Sequence, residues 1–130
     1  MYYRMRNSYI ILIVIIIYII TLVYNKSNEI TPEMAKNNIK YGKYDYIVDV
    51  RTKKEWDEDH LKNTINIPIG DFVSELPKRI PDKNTRILFI CKKGIRASAV
   101  IVIAHKLGYK NVESMIGNYT DLRSTHTINN

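Results

Sequence analysis

The polar and apolar positions of this chain fall into two regimes. Residues 9–24 form an almost unbroken apolar run rich in isoleucine, with Arg4 and Arg6 before it and Asn25 and Lys26 after it. Beyond that run, short apolar stretches alternate with segments that carry helix start and stop signals. Thr31-Pro32 reads as an N-cap with proline at the first helical position, and the helix it opens is expected to run to Gly42. Residues 46–50 read as a buried strand, and Thr52-x-x-Glu55 is a capping box that opens a short helix carrying Trp56. A brief strand is expected at residues 65–67, a helical turn or two at 71–76 closed by Pro77, and the central strand at 86–90. A helix over 97–107 that stops at Gly108, and a last strand at 112–115 before Gly117, complete the series. Strands alternating with helices predict an α/β domain with a small parallel sheet covered on both faces. In such sheets ligands bind beyond the carboxyl ends of the strands.

The apolar run calls for a different solvent. At about 16 residues it is shorter than the ~20 that cross a bilayer comfortably, close to the lower edge of ~17, and its tyrosines suit the two interfaces. A core helix apolar on every side would need a larger protein around it, and no small-x-small cleavage pattern follows. The expectation is an uncleaved single-pass membrane anchor at residues 9–24, with a basic flank at 1–8 and a polar linker at 25–29. A single domain then occupies residues 30–122, and 123–130 form a polar tail. Arg4, Arg6 and the amino terminus outweigh Lys26, which Glu29 and Glu33 offset, and this keeps the N-terminus in the cytosol. A cysteine that must stay reduced favours the cytosol for the domain instead, so the side of the membrane stays open.

Cys91 is the only cysteine. It opens the run Cys91-Lys92-Lys93-Gly94-Ile95-Arg96 between the central strand and the helix at 97–107. A strand emptying through a short glycine-containing loop into a helix leaves several backbone N–H groups around one small bowl, which suits an anion. Lone cysteines after apolar strands are often small buried hydrophobes. A packing role, however, gains nothing from three cations and a glycine within the next five positions, whereas a nucleophile that attacks anions needs them. The thiol is therefore expected to ionise more readily than an isolated one, whose pKa is about 8.5. Arg96 and the loop geometry carry more of this argument than Lys92 and Lys93, since loop lysines are commonly solvated.

These residues resemble the rhodanese family of sulfurtransferases, whose loop reads Cys-x-x-Gly-x-Arg; Cys91, Gly94 and Arg96 fall in place. The family's aspartate and arginine closing a buried strand appear in Val48-Asp49-Val50-Arg51, followed by Glu55-Trp56 where it has an acidic residue and an aromatic. Its second signature, commonly Gly-His-Ile-x-Gly-Ala-x-Asn-Ile-Pro, appears as Asp59-His60-Leu61-Lys62-Asn63-Thr64-Ile65-Asn66-Ile67-Pro68. Two glycines and an alanine of that signature are Asp59, Asn63 and Thr64, and the family's later Gly-Gly with a following tryptophan is Gly117-Asn118 leading to Leu122. Asn63 and Asn118 are mild replacements because asparagine tolerates a left-handed backbone. The resemblance covers about residues 30–122 and implies a three-layer fold, a small central parallel sheet flanked by helices, with the N-terminal hydrophobic helix added.

The resemblance also implies an activity. Relatives of this architecture that cleave phosphate esters or reduce arsenate place the arginine six positions after the cysteine; Arg96 stands five after Cys91. The tighter loop favours a persulfide on Cys91. The implied reaction takes sulfane sulfur from thiosulfate or another small anionic donor and passes it to a thiol or cyanide acceptor, a protein acceptor included. Lys92, Lys93, Gly94, Ile95 and Arg96 would bind the donor, while Asp49, Arg51 and His60 would support the loop. No cofactor or metal is needed.

Other chemistry is weaker. His60 beside Asp57, Glu58 and Asp59 reads as a solvated helix end rather than a metal site. His105 and His126 lack the order and spacing of a Cys-His protease. The net charge of +7 is spread without a stripe of stacking aromatics, which excludes nucleic acid as the expected partner and fits anionic substrates or a membrane surface. Three functions of different class remain: a membrane-tethered sulfurtransferase, a sulfur-relay or docking module on the same fold, and a small phosphatase or arsenate reductase.

Overall fold

The computed structural model describes the backbone of residues 2–128 and the side chains of residues 7–24 and 28–123. The side chains of Arg4, Arg6 and Lys26, and those of residues 124–130, lie outside the described residues. The first helix, α1 (Tyr2–Ser27), is followed by β1 (Glu29–Ile30), α2 (Pro32–Lys40), β2 (Tyr46–Asp49), α3 (Lys53–Glu58) and β3 (Ile65–Asn66). A 3₁₀ turn (Ile69–Asp71) leads into α4 (Phe72–Arg79), then β4 (Ile87–Ile90), α5 (Ile95–Lys106), β5 (Val112–Met115) and a 3₁₀ helix (Tyr119–Ile128).

All five strands are parallel, in the order β1-β5-β4-β2-β3. Every residue of β4 is buried, as expected for a central strand covered on both faces. Alternate side chains divide between two clusters. Val48 and Phe89 pack with Phe72 and Leu76 of α4 and with Val100 and Ile101 of α5. Ile47, Leu88 and Ile90 pack with Ala35 of α2 and with Tyr119 and Leu122. Phe72 meets Phe89 edge to face, ring centres 5.3 Å apart. Burying each such side chain contributes about 1.5–3 kcal/mol. The three layers are those the sequence predicts.

Several details differ from expectation. The first helix extends through Ser27 and β1 takes Glu29 and Ile30, so Asn28 alone stands where a five-residue linker was expected. Strand β1 escapes notice because it is two residues long, held on one side by pairing with β5 at Ser114 and Met115. Pro77 lies inside α4 rather than ending it. The carbonyl that loses its donor there belongs to Val73, which is exposed, so water can replace the missing bond. Asn63 adopts the left-handed conformation (φ 58°), but Asn118 does not; its side chain accepts from the Thr120 N–H instead.

Along α1, residues 9–24 are exposed on every side. The stretch Asn7–Tyr24 has mean hydropathy 2.4, with none of it buried. By length and composition this helix is apolar enough to cross a membrane.

Candidate active site

β4 delivers Cys91 to the carboxyl end of the sheet. The chain turns at Gly94, whose φ of +85° is left-handed, and enters α5 at Ile95. The turn aims the Gly94 N–H at the Cys91 sulfur, 2.9 Å away. A second restraint comes from the far side, where the Tyr119 N–H donates to the Cys91 carbonyl at 2.9 Å. Gly94 is needed twice over: besides its backbone angle, a Cβ there would stand 3.0 Å from Ile116 Cα and 3.1 Å from the Gly117 nitrogen.

Cys91, Lys92, Lys93, Ile95 and Arg96 line a cavity of about 390 Å³. Cys91 itself is 1% exposed, so it forms the floor of this bowl. Lys92, Lys93 and Ile95 are exposed at the rim. Five of six consecutive residues thus converge because one strand, one glycine turn and one helix start meet there. An amide aimed at the sulfur stabilises negative charge on it, and it would do the same for a persulfide.

Arg96 is not idle in the bowl. Its Nη1 and Nη2 donate to Glu55 Oε1 and Oε2 at 2.6 and 3.0 Å, a two-pronged pair. The Arg96 hydrogen bond holds the Glu55 carboxyl down at about 2, below its ordinary 4.5. Glu55 in turn raises the Arg96 pKa. Lys92 and Lys93 are exposed, as loop lysines commonly are, and neither has a charged partner among the described residues.

Glu55 reaches Arg96 because α3 is fixed in place. The capping box forms: Thr52 Oγ1 accepts from the Glu55 N–H at 3.2 Å, while Glu55 Oε1 accepts from the Thr52 N–H at 3.3 Å. Arg51 then ties α3 to the sheet. It is buried against Asp49 with Nη2 to Oδ2 at 2.9 Å, and Nη2 also donates to the Asp59 carbonyl at 2.7 Å. Its guanidinium lies 3.8 Å from the centre of the Tyr119 ring, and the Tyr119 hydroxyl donates to Asp59 Oδ2 at 2.6 Å. Asp49 and Arg51 therefore hold the scaffold on which the loop rests. His60 stacks on Trp56 at 3.9 Å with Nδ1 2.7 Å from the Trp56 carbonyl, and it closes the end of α3 without lining the cavity.

Two residues absent from the sequence-based list belong to this arrangement. Glu55 was noted for its cap and as the acidic residue the family carries after that strand, and neither pointed to Arg96 as its partner. Tyr119 gave no local signal; the only hint was its position shortly after Gly117.

The Rhodanese-like domain family matches residues 31–125. Thiosulfate sulfurtransferase PspE of Escherichia coli K12 is 29% identical over 70 residues, 54% of this chain and 67% of PspE. Against two longer curated sulfurtransferases the match spans only 19% and 14% of their length. Among solved structures, a rhodanese-related protein of Thermoplasma volcanium superposes with a TM-score of 0.61 at 26% identity, covering 75% of this chain and 91% of that one. A rhodanese from E. coli, solved with anions, superposes with a TM-score of 0.53 at 27% identity, over 56% of this chain and 86% of its own. A five-stranded parallel sheet with its cysteine loop at the carboxyl end, joined to a family match over most of the chain, makes this protein a member of the rhodanese-like domain family.

Proposed function

We propose that this protein is a membrane-anchored sulfurtransferase that carries sulfane sulfur on Cys91. The observation that carries the reading is the Gly94 N–H placed 2.9 Å from the Cys91 sulfur at the floor of a basic bowl. The Cys91 thiolate attacks the outer sulfur of thiosulfate or a related persulfide donor. In thiosulfate the S–S bond breaks, sulfite leaves with the electron pair, and Cys91 becomes a persulfide. A thiol or cyanide then attacks the outer sulfur and the Cys91 thiolate departs, restoring the enzyme. Lys92 and Lys93 meet the donor's anionic end, and Arg96 joins them by sharing its guanidinium with Glu55. The narrow loop, with Arg96 five positions after Cys91, supports this reading over phosphate ester chemistry. Helix α1 supplies the anchor by its length and its exposed apolar surface.

A protein acceptor is favoured by one further observation: exposed Ile95 and Ile116 border the loop and give it an apolar rim. Intact-mass spectrometry tests the proposal. Thiosulfate treatment should make the protein one sulfur atom heavier, and Cys91→Ser should abolish both this adduct and thiocyanate formation. An unchanged mass without thiocyanate formation by the wild type would reject it.

A further inference from the structure

The bowl over Cys91 uses only one end of the sheet. Because every strand is parallel, α1 joins β1 at the opposite, amino end. Contacts hold it there. The Asn28 carbonyl accepts from the Ser114 N–H at 2.8 Å, and the Tyr24 ring lies 5.2 Å from that of His105 in the last turn of α5.

This amino end is basic and aromatic. Lys43, Arg86 and Lys110 line a cavity of about 420 Å³ beside Asn28. Lys106 ends α5, and Lys83 lies over the Tyr109 ring at 4.2 Å. Asp45 is taken by Arg86 and Glu113 by Lys43. Asp82 accepts from the Asn84 N–H. Lys83, Lys106 and Lys110 have no charged partner among the described residues. Tyr41, 75% exposed at the end of α2, and Tyr46, 41% exposed at the start of β2, face solvent at the same end. Lysines interspersed with exposed tyrosines are the composition of surfaces that rest at a lipid headgroup layer.

Height completes the argument. The apolar stretch ends at Tyr24, four residues before Asn28, a helical rise of only ~6 Å. Charges that close to a headgroup layer lie within the ~8 Å screening length of physiological salt. The geometry points to a second membrane contact: the amino-end face of the domain, through Lys83, Lys106 and Lys110 with Tyr41 and Tyr46, docks on anionic lipid headgroups. The Cys91 bowl is thereby turned towards water. This contact rests on the reading of α1 as a membrane span.

The test uses the full chain in lipid vesicles, carrying Cys91→Ser and one fluorophore, placed either at Asn111→Cys on the amino end or at Lys92→Cys in the loop. With phosphatidylglycerol present, a nitroxide-headgroup lipid should quench the Asn111 label at least about threefold more than the Lys92 label. The difference should collapse in about 1 M salt, where the screening length is ~3 Å, and also when Lys83, Lys106 and Lys110 are changed together to glutamate. The salt arm needs no variant to fold. Equal quenching of the two labels, or a difference indifferent to lipid charge, overturns the docking while leaving the anchor intact. Release of the protein from vesicles by alkaline carbonate overturns the anchor, and the docking with it.

Discussion

Asp49–Arg51 and Asp45–Arg86 are both arginine–carboxylate pairs on the two central strands or beside them, yet they serve the sheet in different ways. The first sits at the carboxyl end, its side chains 0% and 4% exposed, and the second at the amino end with 41% and 50%. Arg51 spends its remaining donors on the carbonyls of Glu55 in α3 and of Asp59 just after it, and its face on Tyr119, so it positions the helix that carries Glu55. Arg86 meets Asp45 alone and does no more than close the strand entrance. Breaking a buried pair strands a charge without water, whereas an exposed pair is rescued by solvent. The same chemistry becomes a scaffold at one end and a surface detail at the other.

The sharpest way to break this contrast is to remove one carboxylate from each pair. Asp49→Ala should cost about 3–5 kcal/mol in urea unfolding, because it leaves the Arg51 charge buried and unpaired. Asp45→Ala should leave the unfolding midpoint near that of the wild type. Comparable losses from the two would show that burial does not separate them.

Gly94→Ala probes the carboxyl end through its backbone. The left-handed angle and the Ile116 contact together should destabilise by at least about 2 kcal/mol, and persulfide formation should fall further than stability, since the amide would swing off the sulfur. Loss of stability alone, with sulfur loading intact, would show that the Gly94 amide does not matter to the chemistry.

The smallest effect separates the ends by pH. Glu55 is held at about 2 and Asp45 at about 2 by their arginines, against ordinary values of 4.5 and 3.8. Lowered carboxyl values stabilise the fold above the ordinary range, and that contribution is lost as pH falls from about 4.5 towards 2. Glu55→Gln retains the helix cap but should remove the half-buried part of this acid loss. What remains, from exposed Asp45 and from Asp59, whose carboxyl the Tyr119 hydroxyl and Arg123 hold below its ordinary value, should shrink further with added salt in a series of unfolding curves. An acid limb unaltered by Glu55→Gln would mean that the Arg96 pair is too weak to register.

The layers of this fold were legible because their signals are local: β4 is apolar throughout, α3 has its capping box, and Gly108 stops α5. The cysteine loop was legible for the same reason, since all six of its residues are contiguous. Of what supports the loop, Asp49 and Arg51 were legible as neighbours on one strand end, but their partners across the fold were not. Glu55 reaches Arg96 across 41 positions, and Tyr119 grips the Cys91 carbonyl from a segment with no periodic pattern of its own. Such contacts depend on how three layers stack, and no spacing along the chain records that. Strand β1 and the passage of α4 through Pro77 were missed for a lesser reason: each depends on a neighbour or on solvent rather than on the residues themselves.

Strand order leaves a last consequence for the chemistry. β4 is the middle strand of five, flanked by β5 and β2, and only β1 and β3 lie at the margins. Protein sheets open first at their margins, and amides in the centre exchange with deuterium only when the whole domain comes apart. Breathing at either margin therefore leaves the seat of Cys91 undisturbed, and its lifetime is that of the fold.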